Sequence, residues 1–477
     1  WRDAILPKLH EKTFDDVPDG KREEFLEAVW TALSSGVHEH AQGDWLGGFK
    51  GPGNLAKKLS SERVLHFKDA MSWFDYNEQY GHGSLLESAI SGFMAAGRNI
   101  AALRTWGTNP EAAFERLRSE MVDRAKKRGD FKEVDRLRDD KLRNQFNAAN
   151  GILGTPVNPN LARAVANVRA VITMAKLGGV VLSSLPDLAN SASVLKHNGY
   201  GFVERWQNAV FGSLLRGPLN AADREVVDIM GTALDGMIGG IVGRFSANDH
   251  FAGKMTKLQD IFFRVNLLGF WTDRMKEGTS LALARKLAID APKAFDALDP
   301  RQQITLGRYK IDAPTWDLIR KGVSEVEGGR SYVLPDVADR LSDADIAAWA
   351  GVPADDPKAL SRARFELTSR LRSYFVEQVR EAMTEPGAKE RAAITFGTRP
   401  GTTAGELVRA LTMFRTFSYT FISRNLGREL LRAPDKVGAA VNIASLIAAT
   451  TILGGLSNAA KDLVKGRTPR DPRDNPV

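Results

Sequence analysis

Cysteine is missing from all 477 residues. That excludes disulfides, thiol nucleophiles, and zinc or iron–sulfur sites built on cysteine. Histidine is scarce, at seven positions: His10, His38, His40, His66, His82, His197 and His250. Only His38-Glu39-His40 makes a cluster, and its i, i+2 spacing turns the two rings to different sides of a helix. HExxH is absent, so no metal site is expected. The P-loop pattern GxxxxGK[ST] and the nucleophile elbow GxSxG are also lacking, and no pair of carboxylates stands out as an acid/base couple. Glu87-Ser88 resembles the catalytic Glu-Ser of lytic transglycosylases, but the Gly-Leu-Met-Gln expected soon after it is missing. We therefore expect no enzyme, no catalytic residue and no cofactor. No sustained alternation of β-branched residues occurs, so no significant sheet is expected. A secretory leader is not visible, and the chain opens at Trp1 and not Met, which reads as a piece of something longer.

What the chain does contain is helix after helix. Lys and Arg number 66 against 58 Asp and Glu, a net charge of +8. Spread over this length, that permits contact with nucleic acid or anionic lipid without demanding it. The Gly-rich stretch Gly43–Asn54 precedes a basic helix but has no strand before it, so it reads as a turn. Ser84-Leu-Leu-Glu87 is a capping box for a helix reaching Trp106, stopped by Gly107. Asn109-Pro110-Glu111 starts the next helix with an N-cap, a proline at the first position and an acidic first turn. Mixed charges from Glu111 to Asn147 suit a solvated helical hairpin broken at Gly129-Asp130. Leu161–Lys196 reads as a core helix interrupted near Pro186. Ile229–Phe245 carries the overlapping GxxxG spacings Gly236/Gly240 and Gly239/Gly243, a pattern that favours close helix packing.

Composition divides the chain into five expected parts. These are an N-terminal helical domain (1–150), a central apolar helical domain (151–289), a polar domain of short helices (290–400), a C-terminal aromatic helix with an apolar helix (401–465), and a polar tail (466–477). The fold class is all-α, an elongated assembly of helical hairpins and bundles.

The fourth part is the most informative. Gly405 to Arg432 reads as one helix with Leu407, Leu411, Phe414, Phe421 and Ile422 on one face. Arg424, Arg428 and Arg432 recur every fourth residue as a basic stripe, a candidate contact for nucleic acid. Then Val437–Leu456 runs without a charge, between Lys436 and Lys461. About 20 apolar residues in a helix just cross a bilayer core. Two readings stay open for it, a buried bundle helix and a segment that enters a membrane or another subunit. The contact residues would be Val437, Val441, Ile443, Leu446, Ile447, Ile452 and Leu453, with Gly236 and Gly240 as a second packing site.

Three stretches, Asn54–Leu117, Leu161–Leu195 and Glu385–Pro472, resemble segments of very large phage and prophage virion proteins. The first and last carry it most clearly, as in SSERVLHFKDAMSWFDYNEQYGHGSLLESAI and RPGTTAGELVRALTMFRTFSYTFISRNLGREL. The family is that of internal virion or DNA-ejection proteins, which often carry a transglycosylase domain elsewhere. The resemblance implies a structural protein packaged inside the capsid and expelled at infection to help form a conduit across the host periplasm and inner membrane. It also implies homo-oligomers, other virion or ejection proteins as partners, and contact with the host inner membrane. Phage DNA, bound without sequence specificity, is a further expected partner. The competing reading is a nucleic-acid-binding or scaffolding helical region of a large mobile-element protein.

Overall fold

The computed structural model describes residues 1–15, 17–35, 64–80, 85–154, 156–176, 180–215, 217–230, 267–326, 329–431 and 436–469, with single positions between 258 and 265. The fold is all-α. Among the described residues two short antiparallel strands interrupt it, Ser324–Val326 and Arg330–Tyr332, paired Ser324 to Tyr332 and Val326 to Arg330.

Two compact units make up the chain, and neither is one linear stretch. The first comprises Trp1–Met174, Ser246–Asp260 and Gly387–Met413; the second comprises Ala175–Phe245, Ile261–Pro386 and Phe414–Val477. The boundaries drawn from composition at 150, 289 and 400 fall inside these units, and 289 falls inside a helix. Composition tracks local polarity, whereas units form by burial between distant segments.

In the first unit the helix signals from Trp106 to Arg138 are realised as expected, whereas Ser84 of the capping box and the Gly43–Asn54 stretch lie outside the described residues. The Leu85–Trp106 helix ends at Gly107, which takes φ +78° where a side chain would be strained. Asn109 caps the Pro110–Lys127 helix by accepting from Ala112 N at 3.1 Å. Gly129 at φ +72° and the Asp130 cap turn the chain into Phe131–Arg138. That hairpin closes on Val122, Ala125, Val134 and Leu137. Trp106, Phe114 and Phe146 meet edge-on and stacked beside it. The distant segment is tied in by charge. Arg169 Nη1 donates to Glu406 Oε2 at 2.6 Å in a buried pair, and Glu406 Oε1 accepts from Gly401 N at 2.7 Å.

The second unit is built around Leu268–Asp290. Leu267 stands at φ +61°, and the helix starts after it. Fourteen of its 23 residues are buried. A helix covered on nearly every side needs no polar face, which is why its apolar periodicity is weak. Around it pack Asp187–His197, Phe202–Ala209, Ala221–Met230 and Pro357–Ala382. Leu283, Leu287, Trp316, Ile319, Leu367, Leu371, Tyr374 and Phe375 form the centre of one core. Residues 313–379 thus supply much of the core of this unit; of the region expected as a polar domain, 290–386 belongs to the second unit and 387–400 to the first. Pro186 does break the Leu161–Lys196 run, as the first residue before Asp187–His197.

One contact in this unit leaves no slack. A five-residue π-helix, Val210–Leu214, lies against the central helix at Gly278. A Cβ on Gly278 would sit 2.6 Å from Ser213 Cα and 2.7 Å from Gly212 O. Both are backbone atoms, so relief requires the two helices to part. Gly278→Ala is expected to destabilise by about 1–3 kcal/mol, read as a lower urea midpoint, whereas Gly307→Ala, with open space around it, should leave the midpoint within error.

Candidate functional site

The C-terminal apolar run forms a single helix, Lys436–Val464, of 29 residues. Its most apolar 18-residue window has mean hydropathy 1.8, and only 17% of that window is buried. The inward face is the less apolar one. Ala439, Asn442, Leu446, Ser457 and Asp462 are buried. Leu453 packs against the cluster of Leu188, Val194, Trp271, Met275, Ala382 and Met383. Lys461 Nζ donates to Ser183 Oγ near the far end. Outward stand Val437, Val441, Ile447, Ile452 and Leu456, with Val441 58% and Ile452 65% exposed. Of the expected contact residues, Ile443 and Leu453 are half-buried and Leu446 is buried. Gly236 and Gly240 lie outside the described residues, as do Arg432, His38 and His40.

The preceding segment departs from the expected single helix. Thr403–Leu411 ends, Phe414 takes φ +66°, and Arg415–Thr420 begins again. A π-helix, Phe421–Leu426, then leads into Gly427–Leu431. Leu407, Leu411 and Ile422, expected on one face with Phe414 and Phe421, are exposed. The basic stripe is not a surface feature. The Arg428 side chain is fully buried, 3.4 Å from Glu381 Oε2, and donates to Ser193 Oγ at 2.7 Å. Arg424 is mostly buried and pairs with Glu377 at 3.6 Å. A contact with nucleic acid through these two arginines is corrected accordingly, because their charge is spent inside the protein. The period of four does place Arg424 and Arg428 on one face, but that face turns inward onto Glu377 and Glu381, themselves four apart on the Pro357–Ala382 helix.

Beneath the apolar helix lies a polar hub. All eleven residues of Asp187–His197 are buried, including Asn190, Ser191, Ser193, Lys196 and His197. Asn425 Nδ2 donates to Asn190 Oδ1 at 2.9 Å and to Thr384 Oγ1 at 3.1 Å. Thr384 is itself held at φ +53°, a strained setting for a β-branched residue. Glu429 is 1% exposed and sits at the centre. Ser193 Oγ donates to its Oε1 at 2.5 Å, His197 Nε2 lies 3.0 Å from Oε1, and Lys196 Nζ lies 3.5 Å from Oε2. Burial alone would raise the Glu429 carboxyl. The contact and charge of His197, the charge of Arg428 and the Ser193 hydroxyl together hold it well below the usual carboxylate range. Burial pulls His197 down, against the attraction of Glu429. It also pulls Lys196 down, to about 8.

Reading the residues alone assigned His197 no role and passed over Ser193, Asn190 and Glu429. The available signal was the run Asn190-Ser-Ala-Ser193, small and polar inside an otherwise apolar segment. Two clefts open elsewhere on this unit. The larger, about 570 Å³, is lined by Asp339, Asp343, Asp355, Arg364 and Phe365. Arg364 there is already held by Asp343 and by the carbonyls of Ala338 and Leu341. Among the described residues no group of three or more metal-capable side chains converges. No family model, no curated protein and no solved structure matches this chain.

The hub has two measurable outcomes. Glu429→Gln leaves Arg428 and Lys196 buried without their shared counter-charge and should destabilise by about 3–5 kcal/mol in a denaturant titration. Lys196 binds a proton less readily folded than unfolded, so between pH 8 and its ordinary value of 10.5 the unfolded state holds more protons. Stability attributable to this residue therefore rises with pH across that window. The difference in midpoint between wild type and Lys196→Met, measured from pH 7 to 10.5, should shift toward wild type by the upper end; a constant difference would refute the assignment.

Proposed function

We propose that this chain is a structural protein of a phage virion, expelled at infection, whose C-terminal helix enters the host inner membrane as part of a conduit for DNA. The observation that carries the reading is the Lys436–Val464 helix. A core helix of a soluble protein can match it in length and hydropathy, but such a helix is mostly buried, and this one is 17% buried over its most apolar window. Its charge-free part, 20 residues from Val437 to Leu456, rises about 30 Å, the thickness of a bilayer's hydrocarbon core. Lysines flank it at 436 and 461, where long cationic side chains reach headgroups.

The resemblance of three stretches to internal virion proteins supports the virion setting and the homo-oligomer. Exposed apolar residues elsewhere support assembly with further copies or with other ejection proteins. In the first unit Val168 and Val171 are exposed beside the Arg169–Glu406 link, as are Leu407 and Leu411. Surface of this kind marks contacts with lipid or protein.

Flotation with neutral phosphatidylcholine liposomes tests the membrane part. The intact chain is expected to float and to release an enclosed dye, with little dependence on salt. Val441→Asp with Ile452→Asp, both on exposed positions and so compatible with folding, should abolish flotation, since a charge near the bilayer centre costs about 2.5–3.5 kcal/mol. Flotation unchanged by the double substitution, or absent from the wild type, would remove the membrane from the reading.

A further inference from the structure

Three cations lie on three helices that pack together at one corner of the second unit. Lys196 is in the last turn of the Asp187–His197 helix, Arg205 lies on Phe202–Ala209, and Arg301 is the second residue of Pro300–Gly307. The corner is closed by Thr305 Oγ1, which donates to His197 O at 2.9 Å, and by the Gly199 turn at φ +82°, whose Cβ position is 2.7 Å from Gln302 Oε1. Arg205 and Arg301 repel one another, and both repel Lys196. Burial is the larger influence on Lys196 and on Arg205, and Glu429 is the carboxylate that attracts both.

Glu429 is already engaged by Ser193, His197 and Arg428. The two acids adjacent in sequence are turned to other work. Glu204 Oε2 accepts from Gly201 N at 3.3 Å, and Asp299 Oδ1 accepts from Arg301 N at 2.8 Å, each closing the start of its own helix. Arg301 also stands at the positive end of a helix dipole, where a cation is disfavoured. Three buried donors at this corner find no acceptor: Arg205 Nε, Arg301 Nε and Gln302 Nε2, the last on a side chain 1% exposed. Arg205 nevertheless reaches the surface, with its guanidinium 4.8 Å above the ring of the exposed Phe202.

Mutually repelling cations and donors without acceptors are complemented by one chemistry, an anion with several oxygens. We infer that Lys196, Arg205 and Arg301, with Gln302, form a binding site for a phosphate group. Guanidinium forks match phosphate oxygens in pairs, and the ammonium adds a point charge. A singly charged carboxylate would leave more of the cationic excess uncompensated. The group can be free inorganic phosphate or the phosphomonoester of a lipid headgroup, and the site does not depend on the fate of the Lys436–Val464 helix.

The test is the thermal midpoint of the full chain at pH 7 in inorganic phosphate against chloride at matched ionic strength. Phosphate at about 100 times its dissociation constant should raise the midpoint by roughly 5 °C or more. Arg205→Gln and Arg301→Gln should each lose that rise, while Arg372→Gln, at an exposed position outside this corner, keeps it. Removing one of three repelling charges has a second signature: in chloride, Arg301→Gln should melt no lower than wild type. A wild type indifferent to phosphate, a rise that survives both substitutions, or an Arg301→Gln that melts well below wild type in chloride would each overturn the site. Vesicles separate the two sources. Extra binding to phosphatidate over phosphatidylcholine vesicles that is lost in Arg205→Gln assigns the headgroup, and a response to inorganic phosphate alone assigns the free ion. The Val441→Asp, Ile452→Asp protein should keep its phosphate response, so loss of membrane binding and loss of this site are told apart.

Discussion

A single carboxylate organises the second unit. Glu429 gathers a hydroxyl, an imidazole, an ammonium and a guanidinium around one buried group. Three of these partners lie on Asp187–His197 and the fourth on Gly427–Leu431. Taking such a charge out of water is costly unless its partners surround it, and they surround it in one arrangement only. The 421–431 segment therefore has one seat against Asp187–His197, and a slip by one residue would strand Glu429, Arg428 and Asn425 together. Asn425, Arg428 and Glu429 stand at i, i+3 and i+4, on one face of the helical segment, so all three turn inward at once.

The consequence for the C-terminal helix is an inversion of the usual rule. Polar groups crowd beneath it while Val441, Ile447 and Ile452 face out. Within a water-soluble body the apolar face would turn inward, and the unit has an apolar core of its own around Trp316, Leu371 and Phe375 that takes nothing from this helix. The helix is thus secured along one narrow face, from Ala439 and Asn442 through Leu446 and Leu453 to Ser457 and Asp462, and its other faces are left to their surroundings. A lipid phase or a further copy of the chain would cover it without disturbing the core.

Much of this architecture was legible in the residues. Helix starts and stops at Gly107, Asn109, Gly129 and Pro186 are written in local chemistry, and they stand where the spacing put them. The all-α class comes from the same local signals. The charge-free run was legible as a helix of membrane length, though not the direction its faces take, because facing is decided by what packs against it. The arginine stripe misled for the same reason: the spacing puts Arg424 and Arg428 on one face, but the glutamates of Pro357–Ala382 packed against them turn that face inward. The hub was least legible. Ser193 and Glu429 are separated by 236 positions, and nothing local to either names the other.

The way each unit is assembled from distant segments also sets an order on biosynthesis. Arg169 is buried against a partner 237 residues further along the chain. At about 5–20 residues per second, a ribosome delivers Glu406 roughly 10–50 s after Arg169. Ser193 waits about as long for Glu429, which emerges only a few seconds after Glu406. Through that interval each unit holds buried-to-be polar groups whose counterpart has not yet been made. Vectorial folding, in which the part first made is the part first finished, has no purchase on a chain built this way: both units come to completion within seconds of one another, once Glu406 and Glu429 have been made.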